Sequence, residues 1–345
     1  MLRNARNDKL MFVVSCIVLN YNGEKLLTTC LDSVEALDFK EKEVIFIDNA
    51  SQDKSVEFVL KHYPKIRVFA NKENSGYAGG ANQAVAVSRG DFVLIMNPDI
   101  VFEPDYLTVL MKRLHTDKKI GAIIGKLRKY DFAAQNSQHK KTNFIDSAGL
   151  FMHRNRRCVD RGQGEEDRGQ YNTAEEVFGI TGACPLYRRE ALEDCKVSGE
   201  YFDNSFFMYK EDVDIAWRMR LFGWKCFYEP AAMAYHGRGT GVVDRRTLWT
   251  VARERKGLSK FQKYYSYKNE RLMRVKNELW ISAARDFLPI IWKEILMFGW
   301  MILREPFLFK SLGRFFLQLP GALKKRLEIM QRKKASARDI GQWFI

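Results

Sequence analysis

Phe12-Val13-Val14-Ser15-Cys16-Ile17-Val18-Leu19 runs straight into Asn20-Tyr21-Asn22-Gly23-Glu24. A continuous apolar run rich in β-branched residues is what a strand buried on both faces needs, whereas a half-exposed strand would alternate. The run lacks a small-residue cleavage site, so it reads as a core strand and not as a secretory leader. Outward from it the chain alternates. Leu27, Leu31, Val34 and Leu37 place one apolar face on a helix over residues 24–37, Glu43–Ile47 (EVIFI) is a second buried strand, and residues 54–62 form a short helix. Arg67–Ala70 is a third strand. Ala81–Ser88 is a helix entered through the glycine-rich loop Gly76-Tyr77-Ala78-Gly79-Gly80, and Asp91–Met96 (DFVLIM) is a fourth strand ending at Asn97-Pro98-Asp99. This order predicts an α/β fold with a doubly wound, mostly parallel sheet. Ligands of such sheets bind beyond the carboxyl ends of the strands, where Asn20-Tyr21-Asn22, Asp48-Asn49 and Asn97-Pro98-Asp99 gather.

The 345 residues are 46% hydrophobic and 29% charged, which excludes global disorder, and no short repeat supports a collagen, mucin or coiled-coil class. The net charge of +15 is unevenly placed: from Val251 onward 21 Lys and Arg stand against 8 Asp and Glu. A nearly neutral body, residues 1–250, therefore carries a basic helical region, residues 251–345. Within the body, two halves follow one another, about 10–125 and 126–250. Residues 126–176 read as loops and edge hairpins, followed by a helix over Tyr209–Phe222 and a strand, Gly223–Tyr228, leading to Tyr235-His236. Six scattered cysteines without a CxxC pair fit reduced thiols in a cytosol. The apolar region Phe287–Leu303 is interrupted by Lys293 and Glu294 and is too short to span a bilayer.

Neither the dinucleotide glycine fingerprint nor a Walker A lysine motif is present, so hydride and P-loop chemistry lose support. Asp48, at a strand end, can accept from a ribose hydroxyl or a pyrimidine N–H; Asn49, Ser51 and Asp53 read as helix-capping residues. Asp99 is placed to hold Mg²⁺ or Mn²⁺ on a diphosphate, with a type I turn as the alternative reading of Asn97-Pro98-Asp99. Glu211-Asp212-Val213-Asp214 crowds three carboxylates at a helix start, and such crowding raises a carboxyl pKa toward that of a general base. His236, followed by Gly237-Arg238-Gly239-Thr240-Gly241, is either a metal ligand or a structural histidine.

Taken in order across residues 12–245, these segments resemble inverting glycosyltransferases of the GT-A fold, sequence family two, and most closely the bacterial rhamnosyltransferase-like branch. The resemblance implies that Asn20 and Tyr21 border the nucleobase, that Asp48 binds the pyrimidine or ribose, and that Asn74, Gly76, Tyr77 and Asn82 line the nucleotide-sugar pocket. Asp99 matches the second acidic residue of the family's metal motif. Asn97 stands at the first position, which makes His236 the second protein ligand. Asp212 matches the catalytic base, with Glu211, Asp214, Gly182 and Arg218 in acceptor or supporting positions. The activity that the resemblance implies is transfer, with inversion and metal assistance, of a sugar such as L-rhamnose. The donor is a dTDP- or UDP-linked sugar and the acceptor a glycolipid or polysaccharide precursor. The rival readings are a sugar-nucleotide nucleotidyltransferase and a non-catalytic polyanion-binding or scaffold protein.

The basic region itself is read from its residues. Lys260–Asn269 interleaves cations and aromatics, a pattern that suits single-stranded nucleic acid or a lipid headgroup boundary. Downstream, Phe287, Ile290, Ile291, Ile295, Phe298, Ile302, Phe307, Phe315 and Leu319, with Trp292 and Trp300, give apolar helix faces. Basic amphipathic helices of this kind point to an anionic membrane surface and not to nucleic acid, hence to a cytoplasmic protein held at the inner face of the membrane.

Overall fold

A computed structural model of the chain describes residues 13–134, 140–237 and 255–345. The opening apolar run becomes β1 (Val14–Asn20), buried at every position. It is followed by α1 (Glu24–Glu35), β2 (Lys42–Asp48), α2 (Ser55–His62), β3 (Arg67–Ala70), α3 (Gly76–Val87) and β4 (Phe92–Met96). β1 pairs in parallel with β2 and β4, and β2 with β3, which is the doubly wound arrangement the alternation predicts. The register sets Asn20 directly beside Asp48, so both side chains emerge at one sheet edge. One expectation needs correction: the glycine-rich segment is not a loop before the helix but the first turns of α3 itself. Gly76, at φ 71°, is obligatory there, because a Cβ would lie 2.2 Å from the carbonyl oxygen of Phe207.

The second half continues the sheet. β5 (Ile100–Phe102), α4 (Tyr106–Thr116), β6 (Ile120–Tyr130), β7 (Lys141–Ser147), the hairpin β8 (Leu150–Met152) and β9 (Cys158–Asp160), β10 (Glu175–Val177), β11 (Leu186–Arg188), α5 (Arg189–Asp194), α6 (Glu211–Leu221) and β12 (Lys225–His236) come in that order. The main sheet runs β10-β12-β6-β11-β4-β1-β2-β3, with β5 on β12 and β7 on β6. Residues 126–130, expected as loop, belong instead to β6, between β12 and β11. Their charges hid the strand; Lys126 is buried by pairing with Asp167 at 3.0 Å and Asn172, and Arg128 meets the same carboxylate. The short strand expected over 223–228 and the separate Tyr235-His236 are one bulged twelve-residue strand.

Five helices close the chain: α7 (Lys260–Asn277), α8 (Trp280–Arg285), α9 (Phe287–Arg304), α10 (Leu308–Arg332) and α11 (Ala337–Gly341). A Ser259–Gln262 capping box starts α7. Leu272, Met273, Ala322, Ile329, Ile340 and Phe344 join the same apolar core as the sheet strands. Buried ions join the two parts as well. Lys276 on α7 reaches Asp203 at 2.6 Å and Asp214 on α6 at 2.9 Å, and Asn277 donates to the other oxygen of Asp214. Arg156 similarly binds Glu278 and Asp286.

Helix α9 is turned inside out. Its charges face inward, Lys293 onto Glu270 and Glu294 onto Arg271 and Arg274 of α7. Its apolar side faces outward, with Leu288 76%, Trp292 62% and Leu303 79% exposed. Among the described residues no helix is long and apolar enough to cross a membrane.

Removing one member of a buried charge cluster strands the others. Asp214→Ala is therefore expected to lower the unfolding free energy by about 3 kcal/mol, read from urea denaturation.

Candidate active site

The parallel edge is built first. Asp48, almost wholly buried, accepts from Asn20 Nδ2 at 2.8 Å and from the Ser51 hydroxyl at 2.6 Å on one oxygen, and from the Ser51 N–H on the other. That second oxygen keeps a free lone pair, and the buried Asn20 Oδ1 has no hydrogen-bond partner. Two acceptors thus stand at this strand end, and the next residue of the chain, Tyr21, is exposed. Ser51 serves Asp48, and Asp53 bonds the N–H groups of Ser55 and Glu24 at two helix starts. Asn49, expected as a cap, instead ties β2 to α3: it donates to the Gly76 carbonyl and accepts from Ser75 N–H.

From there the network continues inward. The Tyr77 hydroxyl donates to the Gly182 carbonyl at 2.7 Å, and the Gly182 N–H donates to Asp212 Oδ2 at 3.0 Å. Asp212 Oδ1 accepts from the Val213 N–H at the head of α6. Burial raises the Asp212 pKa against these donors and the nearby Lys210, with Asp160 adding repulsion. Glu211 is raised further, to about 8, by burial and then by the charge on Asp212. Its Oε2 has no hydrogen-bond partner. The two carboxyls therefore titrate as a pair, each held above the ordinary carboxylate range chiefly by burial. The backbone that delivers them is strained: Phe207, Tyr209 and Lys210 sit at φ 64°, 69° and 74°. Each such residue costs about 1–3 kcal/mol, and clusters of them mark functional sites.

A third group forms where β5, β7 and β12 converge. His236 ends β12 opposite Ile100, and Gly237 N–H donates to the Asp99 carbonyl. His236 Nε2 lies 3.3 Å from Asp99 Oδ1, a buried oxygen without a hydrogen-bond partner. Its Nδ1 lies 2.8 Å from Asp146 Oδ2. Burial opposes a charge on the ring, but Asp146 and Asp99 outweigh it and raise its pKa to about 9. An unsatisfied carboxylate oxygen facing an imidazole nitrogen, with a second carboxylate orienting the ring, suits one hard divalent cation. Among the described residues no third His, Cys, Asp or Glu joins them, so further ligands would come from diphosphate and water. Asn97 links this group to the last: its N–H donates to the carbonyl of Ala183, next to Gly182. The stretch from Arg238 to Gly241 lies outside the described residues.

Other expected site residues are tied into the surrounding scaffold. Asn74 accepts from Gly76 N–H and shapes the entry to α3. Asn82 bonds Tyr201, Phe202 and Asn204 on both ends of its amide, which ties α3 to the segment ahead of α6. Asp214 and Arg218 are buried, the guanidinium on the carbonyls of Cys195 and Tyr201, so neither side chain is open to an acceptor. Asp146 went unread because its neighbourhood looked like loop; only the pairing of β7 with β6 brings it under His236. Phe261, Tyr265, Lys268 and Asn269, read as a headgroup or nucleic-acid pattern, line one face of α7 and pack on residues 205–209.

The fold, a mostly parallel sheet with flanking helices, is that of the GT-A class. The glycosyl transferase family 2 model matches residues 15–196, and the chain belongs to that family. The poly-beta-1,6-N-acetyl-D-glucosamine synthase of Staphylococcus aureus is 25% identical over 296 residues, 84% of this chain and 64% of that protein. Its Staphylococcus epidermidis counterpart is 25% identical over 230 residues, 66% of this chain and 50% of that protein. The chain thus spans less than two thirds of these relatives. Among solved structures, S. aureus TarS 1-349 superposes with TM-score 0.55 at 16% identity over 95% of this chain and 87% of that one, and TarS 1-349 is also known in complex with UDP and with UDP-GlcNAc. GalNAc-T7, solved with UDP, GalNAc and Mn²⁺, gives TM-score 0.54 at 14% identity, covering 81% of this chain and 55% of that one. At such identities the likeness is one of fold.

The raised carboxyls carry a stability consequence. A folded state that binds a proton more tightly than the unfolded chain loses stability as pH rises from the unfolded to the folded pKa. For Glu211 that window runs from 4.5 to about 8. Glu211→Gln is expected to match the wild type in thermal midpoint near the bottom of this window and to exceed it above the top. Scanning calorimetry across the range checks both.

Proposed function

We propose that this protein transfers a sugar from a uridine or thymidine diphosphate donor to an acceptor hydroxyl in one inverting displacement, with Asp212 as the base. The observation that carries the reading is Asp212 itself, buried at the head of α6, aimed by the Gly182 amide, and joined through Tyr77 and Asn49 to the strand edge at Asp48. Asp48 and Asn20 accept from the N–H of the base or from the ribose. The acceptor oxygen attacks the anomeric carbon, its proton passes to Asp212, and the bond to the diphosphate breaks with the electron pair leaving on the phosphate oxygen. Asp99 and His236 would hold a divalent cation, which supplies Lewis-acid neutralisation of the departing diphosphate; GalNAc-T7, of like fold, carries Mn²⁺. Asp146 keeps the His236 ring turned so that Nε2 faces Asp99. A uridine diphosphate sugar bearing N-acetylglucosamine is the first donor to test, given what TarS binds and what the Staphylococcus relatives synthesise. A deoxyhexose such as L-rhamnose follows from the branch resemblance.

Calorimetric titration with UDP, dTDP and GDP, each with and without Mn²⁺, is expected to give metal-dependent binding of a pyrimidine diphosphate. Asp212→Asn is expected to keep that binding and to lose transfer by about 10²–10⁴-fold. Equal loss of nucleotide affinity would rule out a simple base.

The acceptor side of the reading is lipidic. The outward apolar face of α9 continues across Phe298 and Phe309 onto α10, where Phe316 and Leu317 are exposed. From Arg285 to Lys334 eleven Lys and Arg accompany four Asp and Glu. A large exposed apolar face on helices with an excess of cations matches an anionic bilayer interface, with the helices lying in its plane. Trp292→Glu combined with Leu303→Glu is expected to abolish co-sedimentation with phosphatidylglycerol vesicles while leaving nucleotide binding intact. Retained co-sedimentation would defeat this part of the proposal.

A further inference from the structure

The segment that presents Glu211 and Asp212 is gripped from two sides. Its left-handed residues Phe207, Tyr209 and Lys210 hold a backbone shape that non-glycine residues keep only when their surroundings enforce it. On one side α3 supplies part of the enforcement: the Phe207 carbonyl accepts from Ala78 N–H at 3.0 Å and leaves Gly76 no room for a Cβ. On the other side stands α7. Asn269, fully buried, sets its amide nitrogen within bonding distance of three carbonyls, of Phe206 at 2.9 Å, Met208 at 2.8 Å and Tyr209 at 2.7 Å, so that one of its two hydrogens is shared. Three acceptors converging on one nitrogen also fix the amide's orientation, because its oxygen could satisfy none of them. Lys268 adds a bond to the Ser205 carbonyl at 2.5 Å and another to Gln318 of α10. Phe261 and Tyr265, two turns and one turn earlier on the same face, pack their rings on Phe207.

We infer that Asn269 is a positioning residue for catalysis, holding the 206–210 backbone in the one conformation that sets Asp212 against the Gly182 amide. The inference rests on the reading of Asp212 as base and deepens it by assigning part of the site to a helix outside the residues that the family model matches. Asn269 touches neither the carboxylate pair nor the strand edge; it acts through main-chain carbonyls that an apolar residue would leave buried and unpaired. Its effect is therefore on the geometry of the base and not on the nucleotide, whose proposed contacts at Asn20 and Asp48 lie on β1 and β2.

Four variants of the full chain test this: Asn269→Ala, the isosteric Asn269→Asp, Leu272→Ala as a core change on the same helix, and Asp212→Asn. Steady-state kinetics, UDP titration, thermal midpoints and hydrogen–deuterium exchange of the 206–214 amides are read for each. Both Asn269 variants are expected to lower kcat by about tenfold or more and to speed exchange across 206–214. Donor KM and the UDP Kd should stay within about twofold. Leu272→Ala should lower the thermal midpoint comparably yet keep kcat within about twofold. Wild-type kcat in a folded Asn269 variant, unchanged exchange, or an equal kcat loss in Leu272→Ala would overturn the inference. So would failure of both Asn269 variants to fold while Leu272→Ala folds, since the residue would then be structural. Activity retained by Asp212→Asn would instead sink the base assignment, and the exchange result would still report on the clamp alone.

Discussion

Lys276 lies buried between Asp203 and Asp214, and this three-charge contact fixes how everything around the catalytic pair is held. Its two carboxylates bracket the strained segment that delivers Glu211 and Asp212, one before it and one after. An ammonium taken out of water is stable only with such partners, and the partners are stable only with the ammonium. The C-terminal helices are thereby bound to the sheet domain by more than apolar packing. Asn269 and Lys268, about two turns back, then have a fixed platform from which to reach the loop carbonyls.

The same economy of partners governs the nucleotide edge. Asp48 is not an open carboxylate awaiting a ligand; Asn20 and Ser51 already occupy most of its lone pairs. What remains is one lone pair and the orphaned Asn20 oxygen, a narrow acceptor pattern that favours a donor N–H or hydroxyl over any anion. Anions are left to the Asp99–His236 corner, where a cation would reverse the local charge. Under the proposed function the site would separate recognition of the neutral base from neutralisation of the diphosphate by using two groups at the carboxyl ends of different strands.

Helix α9 has its polarity reversed, with Lys293 and Glu294 inward to α7 and aromatic and aliphatic side chains outward. Glu294 is held inward by both Arg271 and Arg274. The proposed contact with a medium less polar than water rests on this reversal. The pairs that hold α9 in this orientation engage α7 immediately after Asn269, so the apolar face and the catalytic loop share one helix as their support.

Much of this was legible in the chain itself. The run at Val14–Asn20, the alternation to Met96, the strand-end polar residues and the crowded carboxylates at 211–214 are local patterns, and local patterns follow from periodicity and burial alone. The inverted polarity of α9 was half legible, as an apolar face whose direction the sequence could not assign. Strand β6 escaped because its buried Lys126 depends on Asp167, forty-one residues away. Asp146 under His236, Asn49 on Gly76 and Asn269 on three loop carbonyls escaped for the same reason. The sequence by itself determined the fold class and the strand-end and helix-start residues from which the proposed site is drawn. Which polar groups meet, and so which of them bind, position or merely anchor, was decided only by tertiary structure, because a hydrogen bond between distant residues leaves no period in the chain.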